Sequence, residues 1–511
     1  MGRMIYLGPP GTGKTHKLLE LLEIELTRGI PIERLAFLTF TRRAKREAVE
    51  RVEKVLGIKA RDLPHFRTIH SLAFRALGLK EGDVLAKKQL DEFGTHMGLT
   101  FGGSALTETA SEGINSQAAG DQMMALDNLC RLRGETLKKT WNGARSNVDW
   151  HTVEHFSSSY RLYKKEKGLL DFTDVLQEFA RAGLRLEVDA AFIDEAQDLS
   201  ALQWYAALQA VEGALRQYVA GDDDQALYRW SGADVQYFMN LAGERRVLSQ
   251  SYRLPRSVHK LASSIIHRVK DRIVKPFSPR DAEGEVRYHP SVESLPRLGD
   301  GQWLWLVRNR YLLSGLRNTL QQQGIVFSSH GYSSINAKER DAIYDWERLR
   351  AGKSLAVHRI RDVYSHLKSK TQLKHGFKLL PNIDEDAQLL MVDLVENYGL
   401  LATGTWFDVF TSIPDERRAY YRALLRAKKT LKLDPQVQLE TIHGAKGAEA
   451  DNVVVFTEQS RRVWDEAQFD PLMADDEHRV FYVSVTRAKE SLHIISPGAR
   501  WGYMMPKVEG K

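Results

Sequence analysis

A chain of 511 residues is longer than one hydrophobic core usually supports, so the sequence predicts two or more domains. Its 43% hydrophobic and 27% charged residues exclude an intrinsically disordered chain. Because 73 Lys and Arg exceed 66 Asp and Glu, the net charge of +7 favours a polyanionic partner without identifying one. The single cysteine, Cys130, excludes an internal disulfide and multi-cysteine metal sites, which indicates a reducing compartment.

The ends and the hydropathy of the chain bear on its location. Only seven residues precede a glycine-rich loop, which leaves no room for a signal peptide. No apolar run approaches the roughly 18 to 20 residues that cross a bilayer. We therefore expect a cytoplasmic protein without membrane contact. The alternatives are association with the nucleoid, or the host-cell cytoplasm if the protein is viral. The short tail after the last apolar run predicts no appended nuclease domain.

Short apolar runs alternate with helical patterns along the chain. The first run, at 4–7, leads through a glycine-rich loop into a helix with leucines at four-residue spacing. Later runs lie at 35–39, 190–194, 217–222, 303–307, 437–442, 452–456 and 491–495. Such alternation indicates mainly parallel sheets covered by helices. The predicted fold class is α/β, with two tandem parallel-sheet cores, each interrupted by a mainly helical insertion.

The composition also predicts where these parts begin and end. The first core takes residues 1–79 and 166–250, and a helical insertion takes 80–165. The second core takes 251–330 and 436–498, a second helical insertion takes 331–435, and 499–511 form a tail. Within the first insertion, the Gly/Ser/Thr-rich stretch 101–120 predicts a mobile loop.

The glycine-rich loop after the first apolar run fits the P-loop pattern in its strand-to-helix context. Backbone amides of such a loop and the N-terminus of the following helix bind phosphates. Lys14 is expected to reach the β- and γ-phosphates, and Thr15 to ligate Mg²⁺. The predicted nucleotide-binding residues are Gly8, Pro9, Pro10, Gly11, Thr12, Gly13, Lys14 and Thr15.

A second acidic motif, DEAQD at 194–198, follows the apolar run at 190–194. Open α/β sheets bind their ligands at this end of a strand. We expect Asp194 to hold the magnesium ion and Glu195 to orient and deprotonate the attacking water. The alternative is an acidic helix N-terminus without a catalytic role.

With both elements in place, six motifs resemble those of the UvrD/Rep-like helicases of superfamily 1, in the order of that family. They are AFLTFTRRAKREA (36–48), FRTIHSLAFRAL (66–77), VAGDDDQALYRWSGAD (219–234), LSQSYRLP (248–255), QLETIHGAKGAEADNVVVF (438–456) and EHRVFYVSVTRAKESL (477–492). The resemblance implies two RecA-like cores. The two insertions show little or no similarity to the family.

The resemblance also implies roles around the nucleotide. Gln225 is expected to sense the γ-phosphate, and Arg253 and Arg487 to act as arginine fingers from the second core. Tyr252 is expected to stack on adenine and Glu449 to bind the ribose. The alternative for either arginine is a surface ion pair.

A further set of residues matches family positions that contact nucleic acid. Tyr228 and Trp230 are expected to stack on bases, and a core aromatic is the alternative for Trp230. The basic run at 42–46 would bind phosphates or form a solvated helix face. The other expected contacts are Phe40, Thr41, Thr68, His70 and His443.

The resemblance leads to one main function and several alternatives. We expect an ATP- and Mg²⁺-dependent 3′–5′ DNA helicase that is a monomer in solution and acts on single-stranded and forked DNA. The alternatives are a single-strand translocase that displaces proteins, a non-catalytic binding scaffold and a small-molecule P-loop kinase. The sequence leaves open the pathway, a protein loading partner, DNA against RNA, and unwinding strength. The upstream glutamine usual in the family is missing, so the sequence does not predict adenine selectivity. Ser231 stands where relatives often have arginine and the second insertion is short for the family, so the sequence does not predict unwinding strength or autoregulation either.

Overall fold

A computed structural model of the chain describes residues 2–102, 118–144, 146–380, 383–498 and 501–507. Within these ranges, the helices are too short or too polar to span a membrane. Most of the stretch at 101–120, for which a mobile loop is predicted, lies outside the described residues, and its last two residues already belong to a helix.

The first core is built on a sheet whose strands all run parallel, in the order β3-β2-β4-β5-β1-β6. Its strands are β1 (Gly2–Leu7), β2 (Leu35–Thr39), β3 (Phe66–Thr68), β4 (Ala190–Asp194), β5 (Arg216–Gly221) and β6 (Glu244–Val247). Every residue of β2 and β4 is buried, because helices cover both faces of the sheet. The carboxyl ends of β1 and β4, where the P-loop and DEAQD motifs begin, therefore lie at the same edge.

Helices connect and cover these strands and form the first insertion. They are α1 (Lys14–Thr27), α2 (Arg42–Leu56), α3 (Ile69–Ala76), α4 (Lys87–Met97), α5 (Ala119–Arg133), α6 (Leu137–Gly143), α7 (Trp150–Lys167), α8 (Phe172–Arg181), α9 (Ala201–Ala210) and α10 (Val235–Asn240). Helices α4 to α7 enclose a separate hydrophobic cluster around Phe93 and Phe156.

The second core contains a sheet in the order β10-β9-β13-β8-β14-β15-β7, parallel except for the β9–β10 pair. The strands of this half are β7 (Glu285–His289), β8 (Trp303–Val307), β9 (Phe327–Ser329), β10 (Tyr332–Ser333), β11 (Leu355–Ala356), β12 (Gln388–Leu389), β13 (Val437–Thr441), β14 (Ala450–Phe456) and β15 (Ala488–Ile495). Strands β11 and β12 pair with each other, within the second insertion.

The helices of the second half cover this sheet and form the second insertion. They are α11 (Arg256–Ile266), α12 (Leu312–Gln322), α13 (Ala337–Arg350), α14 (Val357–Ser365), α15 (Met391–Glu396), α16 (Trp406–Val409), α17 (Asp415–Lys428), α18 (Arg461–Phe469) and α19 (Pro471–Val485). Helices α13 to α17 pack around Trp346 and Tyr364 in a cluster of their own. One further cluster contains residues of both sheets, so the two cores are packed against each other.

The predicted fold class is confirmed: two sheet cores, each interrupted by a mainly helical insertion. Seven strands have no predicted apolar run, namely β3, β6, β7, β9, β10, β11 and β12. Strand β6 is exposed along its whole length and β7 along most of it, so neither carries an apolar run. Helix α7 extends two residues beyond the end of the first predicted insertion. Strand β10 lies within the second predicted insertion, yet it pairs with the sheet of the second core.

Candidate functional site

The P-loop occupies the turn between β1 and α1, as the sequence predicts. Gly11 and Gly13 have φ values of 75° and 79°, a left-handed conformation that glycine adopts without steric cost. A Cβ atom on Gly8 would lie 2.5 Å from the Thr12 hydroxyl and 2.7 Å from Lys14 Cγ, so a larger residue here would displace the side chains of the loop. The Lys14 Nζ donates a hydrogen bond to the Gly8 carbonyl at 2.7 Å, and burial lowers the pKa of Lys14. The lysine and the helix N-terminus thus face the same concave loop.

Thr15 and Asp194 meet at the carboxyl edge of the first sheet. The Thr15 hydroxyl donates to Asp194 Oδ2 at 2.7 Å. Burial raises the pKa of Asp194 to about 6, and the charge of Glu195 adds to this effect. A hydroxyl and a carboxylate oxygen beside a phosphate-binding loop are the ligands that Mg²⁺ prefers, so these residues fit the predicted magnesium site.

Glu195 follows directly in a strained backbone conformation. Its φ of 52° is rare for a residue other than glycine, and its amide donates to Asp194 Oδ1 at 2.9 Å. The Gln197 side chain donates to Glu195 Oε2 at 2.6 Å. Burial by itself would raise the pKa of Glu195, but the positive charges of Lys446 and Lys14 outweigh it and lower that pKa. The carboxylate is therefore held charged next to the P-loop.

Arg487 reaches this site from the second core. It is 3% exposed, and its Nη2 donates to Gln225 Oε1 at 3.2 Å. The Gln225 amide in turn donates to Asp222 Oδ2 at 2.6 Å. Burial, followed by the charge of Arg253, lowers the pKa of Arg487 to about 9, so the guanidinium stays charged at neutral pH. The predicted phosphate sensor and one predicted arginine finger are in direct contact.

Tyr252, Arg253 and Glu449 line the opposite wall of a cleft of about 500 Å³ that also includes Gly11, Thr12, Gly13 and His16. Tyr252 is 76% exposed, although its backbone amide is anchored on the Gly11 carbonyl at 2.8 Å. Arg253 Nε donates to Glu449 Oε2 at 2.7 Å, and Glu449 also pairs with Lys489. Burial opposes the effect of Arg253, but the cations lower the pKa of Glu449 to about 2.

The structure adds Lys446, a residue that the sequence interpretation did not single out. Its ammonium contacts Asp198, lies 3.7 Å from Glu195 Oε2 and donates to the Gln225 carbonyl at 2.9 Å. Burial raises the pKa of Asp198 to about 7. The one signal in the sequence was the position of Lys446 inside the motif at 438–456. Its partners lie some 220 to 250 residues earlier, so its role could not be found from spacing.

Four of the predicted nucleic-acid residues form an aromatic cluster where the two cores meet. Tyr228 lies 5.3 Å from Phe40 and 6.2 Å from Trp230, measured between ring centroids. His443 of the second core lies 6.0 Å from Trp230. The Tyr228 ring is only 8% exposed, whereas Trp230 is half-buried and lines a cleft of about 460 Å³. Trp230 is thus the more accessible of the two rings.

Thr41, Thr68 and His70 have structural roles in this fold. The Thr41 hydroxyl accepts from the Ala44 amide and caps α2, and the Thr68 hydroxyl caps α3 in the same way. His70 is buried, with its ring edge on Phe172. In the basic run, Arg43 and Arg46 lie near glutamates one turn later on α2, at 3.3 and 3.7 Å. Contact with nucleic acid stays a prediction for all of them.

Comparisons with known proteins agree with this arrangement. The family model described as the UvrD/REP helicase N-terminal domain matches residues 2–245, and that described as the UvrD-like helicase C-terminal domain matches 420–497. Among individual relatives, the ATP-dependent DNA helicase PcrA of Bacillus subtilis is 22% identical over 424 residues, which cover 79% of this chain and 54% of the relative. PcrA of Staphylococcus aureus is 24% identical over 318 residues, which cover 57% and 42% of the two chains.

The chain therefore spans about half the length of the curated relatives it matches. Among solved structures, the arterivirus nonstructural protein 10 helicase aligns over 97% of this chain and 59% of its own, with 10% identity and a TM-score of 0.32. The two family models match the two cores in chain order and together cover more than half of the residues. The chain belongs to the UvrD/Rep-like helicases of superfamily 1.

Proposed function

We propose that the chain is an ATP-dependent DNA helicase that moves 3′ to 5′ on single-stranded DNA and separates the duplex ahead of it. The observation that carries this proposal is the Arg487–Gln225 contact. Gln225 stands three residues before Tyr228 and five before Trp230, so one short segment adjoins both the nucleotide site and the aromatic cluster. A change at the γ-phosphate would therefore reach the strand-binding side chains directly.

In this proposal the first core holds ATP and prepares the attacking water. The P-loop amides and Lys14 bind the β- and γ-phosphates, because their positive ends converge on the loop. Thr15 and Asp194 would hold Mg²⁺, which would supply positive charge against the phosphates. Glu195, held charged beside them, orients the water and accepts its proton.

The second core supplies the positive charges that act on the transferred phosphoryl group, and it moves when ATP is hydrolysed. Arg487 and Arg253 neutralise the transferring phosphoryl group, an effect worth about 10³ to 10⁵ in rate in other nucleotide hydrolases. Tyr252 stacks on the base, and Glu449 binds the ribose. Because these residues sit across the cleft from the P-loop, ATP binding draws the cores together and hydrolysis releases them.

The DNA strand would pass over the aromatic cluster, with Trp230 as its main stacking surface. Stacking on a ring contributes roughly 1 to 3 kcal/mol for any base, which suits a motor that must move along every sequence. The PcrA relatives are ATP-dependent DNA helicases, which supports DNA as the substrate. The proposed species in solution is a monomer that binds single-stranded and forked DNA.

The first experiment compares ATP hydrolysis with and without single-stranded DNA, in the wild type and in Glu195→Gln. We expect strong stimulation by DNA in the wild type and its loss in the variant, because the amide cannot accept a proton. An absence of stimulation in the folded wild-type protein would contradict the proposal.

A second experiment tests unwinding and direction. Partial duplexes with a 3′ or a 5′ single-stranded tail are incubated with ATP, and strand separation is followed. We expect separation only from the 3′ tail. Displacement of a bound protein from single strands without separation of either substrate would instead identify a translocase.

A further inference from the structure

Helix α19 of the second core and Arg487, just after it, contact the segment at 223–230 of the first core at three points. At one end, Arg229 Nη1 pairs with Asp476 Oδ1 at 3.0 Å. In the middle, Arg479 Nε donates to the Asp223 carbonyl at 3.1 Å. Beyond the other end, Arg487 Nη2 donates to Gln225 Oε1 at 3.2 Å. Helix α19 and the arginine just after it therefore contact the segment at Arg229, at Asp223 and at the phosphate sensor Gln225.

The two ends of α19 lie near different sites. Leu472 and Met473, in the first turn, line the same cleft as Trp230. The last turn ends at Val485, two residues before Arg487 in the nucleotide site. A helix of 15 residues is about 22 Å long, so α19 reaches from the Trp230 cleft to the nucleotide site. We infer that its continuous backbone hydrogen bonds carry a shift of its first turn to Arg487.

We propose that Asp476 is a positioning residue that couples DNA binding to ATP hydrolysis. Through its ion pair with Arg229 it ties α19 to the segment carrying Trp230, so a strand stacked on Trp230 moves α19 and brings Arg487 toward the nucleotide. The proposal rests on the proposed function, since it requires ATPase activity that DNA stimulates.

The surroundings of the Arg229–Asp476 ion pair allow it to hold α19 and the segment at 223–230 together. The side chains of Arg229 and Asp476 are 28% and 20% exposed, so solvent screens them only in part. The Arg229 carbonyl also accepts from Arg133 Nη2 at 3.0 Å, which fixes the backbone next to Trp230 to α5. The segment is held on one side by the first core and on the other by Asp476.

The test uses Asp476→Asn, which keeps the shape of the side chain and removes its charge. Asp476→Glu keeps the charge, and Asp465→Asn removes a carboxylate from the more exposed Arg461–Asp465 pair on α18 as a matched control. For each full-length protein, basal ATPase, maximal DNA-stimulated ATPase and the DNA concentration for half-maximal stimulation are measured. Thermal unfolding monitors the fold.

For Asp476→Asn we expect the stimulated rate to fall about fivefold to tenfold while the basal rate stays within twofold. Asp476→Glu should recover at least half of the stimulation, and Asp465→Asn should match the wild type. Arg229→Gln combined with Asp476→Asn should lose little more stimulation than the worse single variant, because the pair with Arg229 at 3.0 Å is closer than the pair of Asp476 with Arg479 at 3.6 Å.

Full stimulation in Asp476→Asn, or an equal loss of basal and stimulated rates, would overturn the coupling role. If Asp476→Asn fails to fold, Arg229→Gln replaces it. Full stimulation in Arg229→Gln, or an equal loss of its basal and stimulated rates, would then overturn the coupling role. A wild-type protein that DNA does not stimulate would instead contradict the proposed function itself, so the two failures are distinguishable.

Discussion

Replacement of Trp230 by alanine should separate strand binding from nucleotide chemistry. The Trp230 ring is half-buried against Tyr228 and His443 and lines an open cleft, whereas it does not line the nucleotide cleft. A stacked base contributes roughly 1 to 3 kcal/mol. At about 1.4 kcal/mol for each factor of ten, loss of one stack weakens the binding of single-stranded DNA by about 5- to 150-fold.

The assay titrates single-stranded DNA into the ATPase reaction and measures DNA binding by fluorescence anisotropy at fixed salt. We expect the half-maximal DNA concentration to rise by about 30-fold, from a central 2 kcal/mol, while the basal rate stays within twofold. Trp230→Phe should recover most of the affinity. Trp464→Ala, at a half-buried tryptophan on α18, serves as the control. An unchanged half-maximal concentration, or an equal loss of basal and stimulated rates in a folded variant, would refute the stacking role.

Three further predictions concern other parts of the site. Lys14→Ala should reduce the rate of ATP hydrolysis at least 100-fold, because the Lys14 ammonium faces the phosphate-binding loop. The affinity for single-stranded DNA, measured by fluorescence anisotropy, should stay within twofold, and a loss of DNA binding would contradict this prediction. Glu449→Gln should raise the KM for ATP about tenfold in steady-state kinetics by weakening the pair with Arg253, and an unchanged KM would exclude that role. Burial, then nearby cations, lowers the pKa of His443 well below 6.5, so the folded state resists protonation and stability falls as pH drops below about 6.5. The free energy of unfolding is measured in urea at pH 7.5 and at pH 5.5. His443→Gln should reduce the loss of stability between these pH values by up to about 1.4 kcal/mol, whereas the exposed control His155→Gln should leave it unchanged. Equal pH dependence in both variants would contradict this role of His443.

Local chemistry made the phosphate-binding part of the site predictable. Gly11 and Gly13 stand where the loop needs a left-handed backbone, Thr15 follows that loop in the first turn of α1, and Asp194 ends the buried strand β4. Parallel strands that are covered on both faces are continuous apolar runs, so β2, β4 and β8 were visible in the sequence. The same reasoning could not find β6, because an exposed edge strand has no apolar run.

Contacts between the cores could not be predicted in this way. Lys446 meets Asp198 across 248 residues, and Arg229 meets Asp476 across 247. No local periodicity relates such distant positions, and charged residues at these places would equally suit a solvated surface. Only the packing of one sheet against the other determines which charges become partners.

By itself, the sequence determined the fold class, the nucleotide-binding loop and the family, because each depends on residues close together in the chain. Tertiary structure alone decided that Tyr228 is buried while Trp230 is more accessible, and that α19 lies between the two sites. These features depend on how buried surfaces from distant segments fit together. Such a fit is a property of the packed cores and leaves no signal in a local stretch of residues.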